Sequence, residues 1–229
     1  MGTRTRIEIE DGIAHVALDD GKVNALSAEM IGEIGAALGA AESAGAVAVL
    51  RGREGIFSAG FDLATFQRGA AAGVAMVRAG AELVARILAF PLPVVTVCTG
   101  HAYPAGAFLM LAADVRFGVA GPWRIGMNET AIGLTVPKFA IELARQRLTP
   151  PGFARIQTAA MFAPEEAMRL GYLDRVLDAG ELDVAVREEA ERLRTLDLRA
   201  FAATKARTNA AVLAAIGAAL EEELRAVAA

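Results

Sequence analysis

The sequence predicts an α/β fold, with a strand-and-helix core over residues 1–137 and a helical region over 138–229 in one continuous unit. Three observations carry this. Short apolar or alternating stretches with strand character alternate with helix-spaced stretches as far as Pro137. Beyond Pro137 every periodic segment has helical spacing. No low-complexity linker parts the two regions, and 229 residues are enough for one domain with a sizeable core.

The elements follow in order. "RIEIEDGIAHVALDD" holds two alternating stretches around Asp11-Gly12, a turn dipeptide, and reads as a β-hairpin. Ser27 is placed to cap a helix whose apolar positions recur to Leu38. "AVAVLRG" is a buried strand, and "IFSAGFDLATF" turns at Gly60 into a short helical segment. "GVAMVRAGAELVARILAF" is an amphipathic helix stopped by Pro91 and Pro93. "PVVTVCTG" is a second buried strand. It leads through Pro104-Ala105-Gly106 into a helix so apolar that it must be buried. "VRFGVA" and "WRIG" are short strands. Helices are then expected over 138–148, 151–160, 164–170, 181–195 and 199–226, with Glu165 and Glu166 complementing the dipole of the third.

Composition narrows the function. The net charge is −4 without a basic patch, which speaks against nucleic-acid binding. The N-terminus has no apolar signal core and no uncharged run reaches spanning length, so a cytoplasmic chain without membrane association is expected. The single cysteine, Cys98, reads as a buried structural thiol, and no metal-ligand cluster is visible. Hydrophobic residues make up 55%, which hints at surface buried between subunits.

Two segments share one design: buried strand, glycine-containing turn, helix start. They are "AVAVLRGREGIFSAGFDL" and "PVVTVCTGHAYPAGAFLM". Each offers unpaired backbone N–H groups, and two such turns facing each other would make a donor pair for an oxyanion. A third segment, "RIGMNETAIGLTVP", holds a single carboxylate, Glu129, in a run that after Arg124 is otherwise uncharged.

"GKVNALS", "GIFSAGFDL", "GHAYPAGAFLMLAADVRFG", "GMNETAIGLTVP" and "PEEAMRLGYLDRVL" occur in this order. Together they resemble the crotonase, or enoyl-CoA hydratase/isomerase, superfamily over nearly the whole chain. The resemblance implies a spiral of ββα units with a helical C-terminal trimerisation region, hence a homotrimer or dimer of trimers. It implies an acyl-CoA thioester as ligand and no separate cofactor, CoA being part of the substrate. It also implies that the thioester carbonyl accepts two backbone N–H bonds. One comes from Phe61 and the other from Ala105, where the family usually has glycine, or from the adjacent Gly106. Each well-aimed donor contributes roughly 3–4 kcal/mol to an enolate-like transition state.

Hydratases of the family use two glutamates. One position is Phe108 here; the other is Glu129, in "GMNET". A single carboxylate suits moving a double bond, by taking a proton at C2 and returning it at C4. The "MNETAIGLTVP" run and "YPAG" resemble the mitochondrial-type Δ3,Δ2-enoyl-CoA isomerase branch, with Asn128 as a substrate-positioning neighbour. A hydratase or another thioester lyase or hydrolase, and a non-catalytic CoA-binding protein, are the alternatives.

For the rest of the CoA, the resemblance points to Lys22, Asn24, Ala25, Leu26, Ser58, Ala59, Gly60, Asp62, Leu63 and Lys205, with Arg207 also considered. Asp62 reads in the first place as a carboxylate complementing a helix N-terminus; His101 and Tyr103 read as structural, with substrate contact as the alternative; and His15 and Asp114 read as structural. Met76, Val77, Leu134 and Phe139 are candidates to line an acyl pocket.

Overall fold

The computed structural model describes residues 4–228, with side chains through 222. Asp11 and Gly12 take left-handed backbone, φ 49° and 73°, and fold β1 (Thr5–Glu10) antiparallel onto β2 (Ile13–Leu18). Paired left-handed residues match the strand twist at such a turn. Ser27 caps α1 (Ala28–Ser43) by accepting the Met30 N–H.

Three strand pairs follow: β3 (Val47–Arg51) with β4 (Gly55–Ser58), β5 (Val94–Cys98) with β6 (Gly100–Ala102), and β7 (Val115–Val119) with β8 (Ile125–Gly126). Each pair leads into helices. These are α2 (Leu63–Gln67) and α3 (Ala70–Ala89), then α4 (Pro104–Ala112), then α5 (Lys138–Arg147). The first strand of each pair joins a six-stranded sheet, ordered β1-β2-β3-β5-β7 with a later strand at its edge. The second joins a four-stranded sheet beginning β4-β6-β8. Successive strands therefore step between two sheets, which is the ββα spiral.

Side-chain alternation divides the core. Ala48 and Leu50 of β3 face the main core, shared with α1, α3 and α4. Val47 and Val49 face the opposite side, where Leu182, Val186 and Leu193 of α8 (Ala179–Arg194) cover the sheet. A strand buried on both faces needs this continuous apolar run.

The region beyond Pro137 departs from the helix-only expectation. After α6 (Pro150–Arg155) and a 3-10 turn (Ile156–Thr158), Ala159 enters the left-handed region at φ 54° and stops the helix expected to run to 160. Strand β9 (Met161–Phe162) pairs antiparallel with β8, completing the four-stranded sheet. After α7 (Pro164–Leu170), β10 (Arg175–Leu177) pairs parallel with β7 at the edge of the larger sheet. Two- and three-residue strands carry too little periodicity to be read from sequence. The C-terminal region thus contributes strands to both sheets of the core. The last helix, α9 (Leu198–Ala228), packs against α3 and α5 of the same chain, with Val212 and Ile216 buried.

Candidate active site

Three parallel strands place the site. Ser58 of β4 is in register with Ala102 of β6, and Ala102 with Ile125 of β8. The segments that follow all leave at the carboxyl ends of these strands, where α/β sheets open their ligand crevices. The Gly60–Phe61 turn, the start of α4 and the Glu129 loop therefore meet.

Two unpaired donors stand where the first two segments touch. Gly60 has φ 89°, a conformation that L side chains rarely adopt. A methyl group on it would lie 3.5 Å from the Ala105 amide nitrogen, so the two turns are in contact. Among the described residues, neither the Phe61 nor the Ala105 N–H meets an acceptor. The Gly106 N–H also lacks one, but Gly106 faces the Ser58 side chain, whereas the Ala105 nitrogen borders Gly60. The Ala107 N–H bonds to the Tyr103 carbonyl.

The turn is held from behind. Leu26 donates its N–H to the Gly60 carbonyl (2.8 Å) and accepts from the Asp62 N–H. The Ser58 hydroxyl donates to the Asn24 carbonyl and accepts from the Gly60 N–H. The Asn24 amide donates to the Leu18 and Phe57 carbonyls. Asp20 accepts N–H bonds from Lys22, Asn24 and Ala25. Asp62 caps α2, accepting from the Ala64 N–H and the Thr65 hydroxyl.

The turns open on a cavity of about 340 Å³, lined by Ala59, Gly60, Phe61, Leu63, Phe66, Val77, Tyr103, Pro104, Phe108, Asn128, Glu129, Ile132, Leu134, Thr135 and Pro137. Glu129 is the one carboxylate in this lining. It begins a 3-10 turn, Glu129–Ile132, and is only 5% exposed. Neither carboxylate oxygen has a hydrogen-bond partner. Loss of hydration raises its pKa from 4.5 to about 7, against a smaller lowering by its own backbone N–H. Such a group holds and releases a proton near neutrality. Phe108 shares the cavity wall, edge-on to Phe61 (6.4 Å between ring centres) and to Phe139 (5.4 Å).

The expected site residues divide accordingly. Glu129, Asn128, Phe61, Ala59, Gly60 and Leu63 line the cavity, and the Ala105 N–H borders it through Gly60. Asn24, Leu26 and Ser58 do not reach it; they are buried and occupied in holding the Gly60 turn. Asp62 is spent on its cap. Lys22 is exposed and Ala25 half-buried, outside the lining.

Lys205 stands apart from this cavity. It is 5% exposed, and its ammonium lies 2.6 Å from Asp114, whose same oxygen accepts the Val94 N–H. It ties α9 to the core, and its charge is already paired. Of the acyl-pocket candidates, Val77 and Leu134 line the cavity. Met76 is buried elsewhere, and Phe139 stands behind Phe108. His101 is structural, its Nδ1 accepting the Arg124 N–H (3.0 Å). Cys98 is buried and its thiol, donating to the Gly100 carbonyl, is pushed up to about 12 by burial.

Sequence reasoning missed Phe66, Ile132, Thr135 and Pro137 of the lining, and Tyr172. Ile132, Thr135 and Pro137 follow Glu129 closely in "AIGLTVP", so proximity to the glutamate was the available signal. Among the described residues, no group of three His, Cys, Asp or Glu side chains is placed to hold a metal ion, and no helix is long and apolar enough to cross a membrane.

Residues 8–228 match the family model described as enoyl-CoA hydratase/isomerase. A solved structure of an enoyl-CoA hydratase/isomerase family protein from Pseudomonas syringae superposes with a TM-score of 0.94 at 40% identity, covering 96% of each chain. A Mycobacterium tuberculosis protein, described in one structure as an enoyl-CoA isomerase and in another as a probable enoyl-CoA hydratase, superposes with a TM-score of 0.92 at 36% identity, over 96% of this chain and 97% of the other, in the first of these. A probable enoyl-CoA hydratase of Mycobacterium avium is 32% identical over 205 residues, 87% of this chain and 79% of that protein. With the model matched from the first hairpin to the last helix, this chain belongs to the enoyl-CoA hydratase/isomerase family.

Proposed function

We propose that the protein is an isomerase that converts 3-enoyl-CoA thioesters to trans-2-enoyl-CoA. The observation that carries this reading is the pairing of one dry, unpartnered carboxylate, Glu129, with a phenyl ring, Phe108, in a single cavity. The Glu129 carboxylate takes a proton from C2. The electron pair moves onto the thioester oxygen, which accepts the Phe61 and Ala105 N–H bonds. The enolate collapses with its double bond between C2 and C3, while the C3–C4 double bond takes the same proton back from Glu129 at C4. Atoms and charge balance, and no water or cofactor takes part. A pKa near 7 leaves Glu129 strong enough as a base and, once protonated, as an acid.

Asn128 positions the substrate beside Glu129, and the exposed apolar rim of Leu63, Ile132 and Leu134 meets its non-polar parts. Lys22 and Ala25 serve the nucleotide end of CoA. Lys22 adjoins Val23, whose carbonyl accepts the N–H of the lining residue Ala59. The chain works in the cytoplasm as a homotrimer or a dimer of trimers.

Hydration is the second reading, favoured by the description of the Mycobacterium avium relative as a probable hydratase. Absorbance of the conjugated thioester separates the two. A rise with a 3-enoyl-CoA and no change with crotonyl-CoA is the expected result. A fall with crotonyl-CoA establishes hydration in spite of Phe108. Tight CoA-ester binding with neither change leaves a non-catalytic role.

A further inference from the structure

Behind the Glu129 loop lies a second buried polar group without a partner, the hydroxyl of Tyr172. Tyr172 follows Gly171, the left-handed residue (φ 94°) that ends α7, and its N–H bonds to the Ala167 carbonyl. Its ring lies 5.9 Å from that of Phe162. Phe162 pairs across β8–β9 with Ile125, four residues before Glu129. The phenol is therefore fixed against the strand that delivers the glutamate. It is fully buried and absent from the cavity lining, so it does not face the substrate. The two groups share no hydrogen bond in this structure. Burial first, and then the charge of Glu129, pushes the Tyr172 pKa up, so the hydroxyl stays protonated. A buried hydroxyl and a buried carboxylate, each without a partner, are the complementary halves of a charge-assisted hydrogen bond.

We propose that Tyr172 is a positioning residue whose hydroxyl donates to the Glu129 carboxylate, directly or across one water, orienting it and favouring its ionised form. The other groups on the surrounding elements do not compete. Arg155, Glu165 and Arg169 are exposed, and Glu166 is half-buried on α7. Lys138 on α5 is paired with Glu222. Tyr103 lies in the cavity wall. Among the described residues no cation pairs with Glu129.

The role rests on Glu129 being the proton carrier of the proposed reaction, but its test does not need turnover. Carbon-13 NMR of glutamate-labelled protein, with the Glu129→Gln variant assigning the signal, reads the Glu129 midpoint in the free protein. Tyr172→Phe keeps the ring and removes the donor. The midpoint should rise by about one pH unit. With substrate, the acid limb of the kcat profile should move up equally, kcat near neutrality should fall about 3- to 10-fold, and KM should hold. An unchanged midpoint in folded Tyr172→Phe protein overturns the inference, whatever the activity. Fluorotyrosine at position 172, in a Tyr103→Phe background, is a second probe. A more acidic phenol donates more strongly, so the midpoint should fall; no movement again overturns it. Loss of the isomerase reading with the midpoint shifts intact would leave the pair standing and the reaction in question.

Discussion

Replacing Glu129 by glutamine tests the dry carboxylate through two independent quantities. Burial moves its pKa from 4.5 to about 7, and the unfolded chain restores the ordinary value. Between those two values the folded chain binds a proton that the unfolded chain does not. Stability therefore falls as pH rises through this window and carries its full cost above about pH 7. The gap between the two values corresponds to about 3 kcal/mol. Glu129→Gln abolishes that titration. The glutamine amide is buried without partners as well, but its cost does not vary with pH. The variant should therefore gain stability relative to the parent by up to about 3 kcal/mol between pH 5 and pH 8. In thermal unfolding this reads as about 2–4 °C per kcal/mol for a chain of this size. Over the same substitution, kcat for 3-enoyl-CoA isomerisation should drop by about 10²- to 10⁴-fold, the usual contribution of a placed acid/base. An equal stability difference at both pH values would refute the desolvated carboxylate. Undiminished isomerisation would refute its role as proton carrier.

Three further outcomes follow from the geometry. Gly60→Ala forces a side chain into φ 89° beside the Ala105 nitrogen, and should cost about 1–3 kcal/mol of stability and lower kcat more than it raises KM, read by denaturant melts and steady-state kinetics. Lys205→Met leaves the Asp114 carboxylate buried without its cation and should cost about 3–5 kcal/mol, while KM for the CoA ester stays unchanged; a raised KM in folded protein would restore Lys205 to the binding site. Phe108→Ala opens a hole between Phe61 and Phe139 and should cost about 3–5 kcal/mol in the same melts.

Legibility in the sequence followed the range of the interactions. The hairpin, the Ser27 cap and the Pro104 helix start each depend on a few adjacent residues, and each lies where its local signal put it. Glu129 was legible because a lone carboxylate in an otherwise uncharged run is conspicuous, and the motif order supplied its meaning. Lys205 was not. A lysine on a helix reads as a surface cation, and its partner Asp114 lies 91 residues away. The side-chain roles of Asn24 and Ser58 were hidden for a related reason. Both residues belong to the loop that forms the site, but their polar atoms are consumed in shaping it. Tyr172 lies in the "PEEAMRLGYLDRVL" motif, but nothing in that stretch marks its hydroxyl as buried and without a partner.

The distribution of satisfied and unsatisfied polar groups gives the site its strongest physical support. Buried polar groups are almost always bonded, so exceptions need a cause. In most of this chain the rule is met with some care. Asp20 takes three backbone N–H bonds, Asp62 fills a cap, and Asp114 serves both Lys205 and Val94. The Thr96 hydroxyl, the Trp123 indole, the Arg147 Nε and the Tyr172 hydroxyl are single atoms left over. Around one cavity, by contrast, the unpaired groups are complementary: two backbone donors, Phe61 and Ala105, and a carboxyl with both oxygens free. A carboxyl that costs about 3 kcal/mol to keep ionised would be replaced cheaply by an apolar residue if it served only the fold. Its place beside two idle donors is the arrangement that a carbonyl with an adjacent acidic C–H would call for.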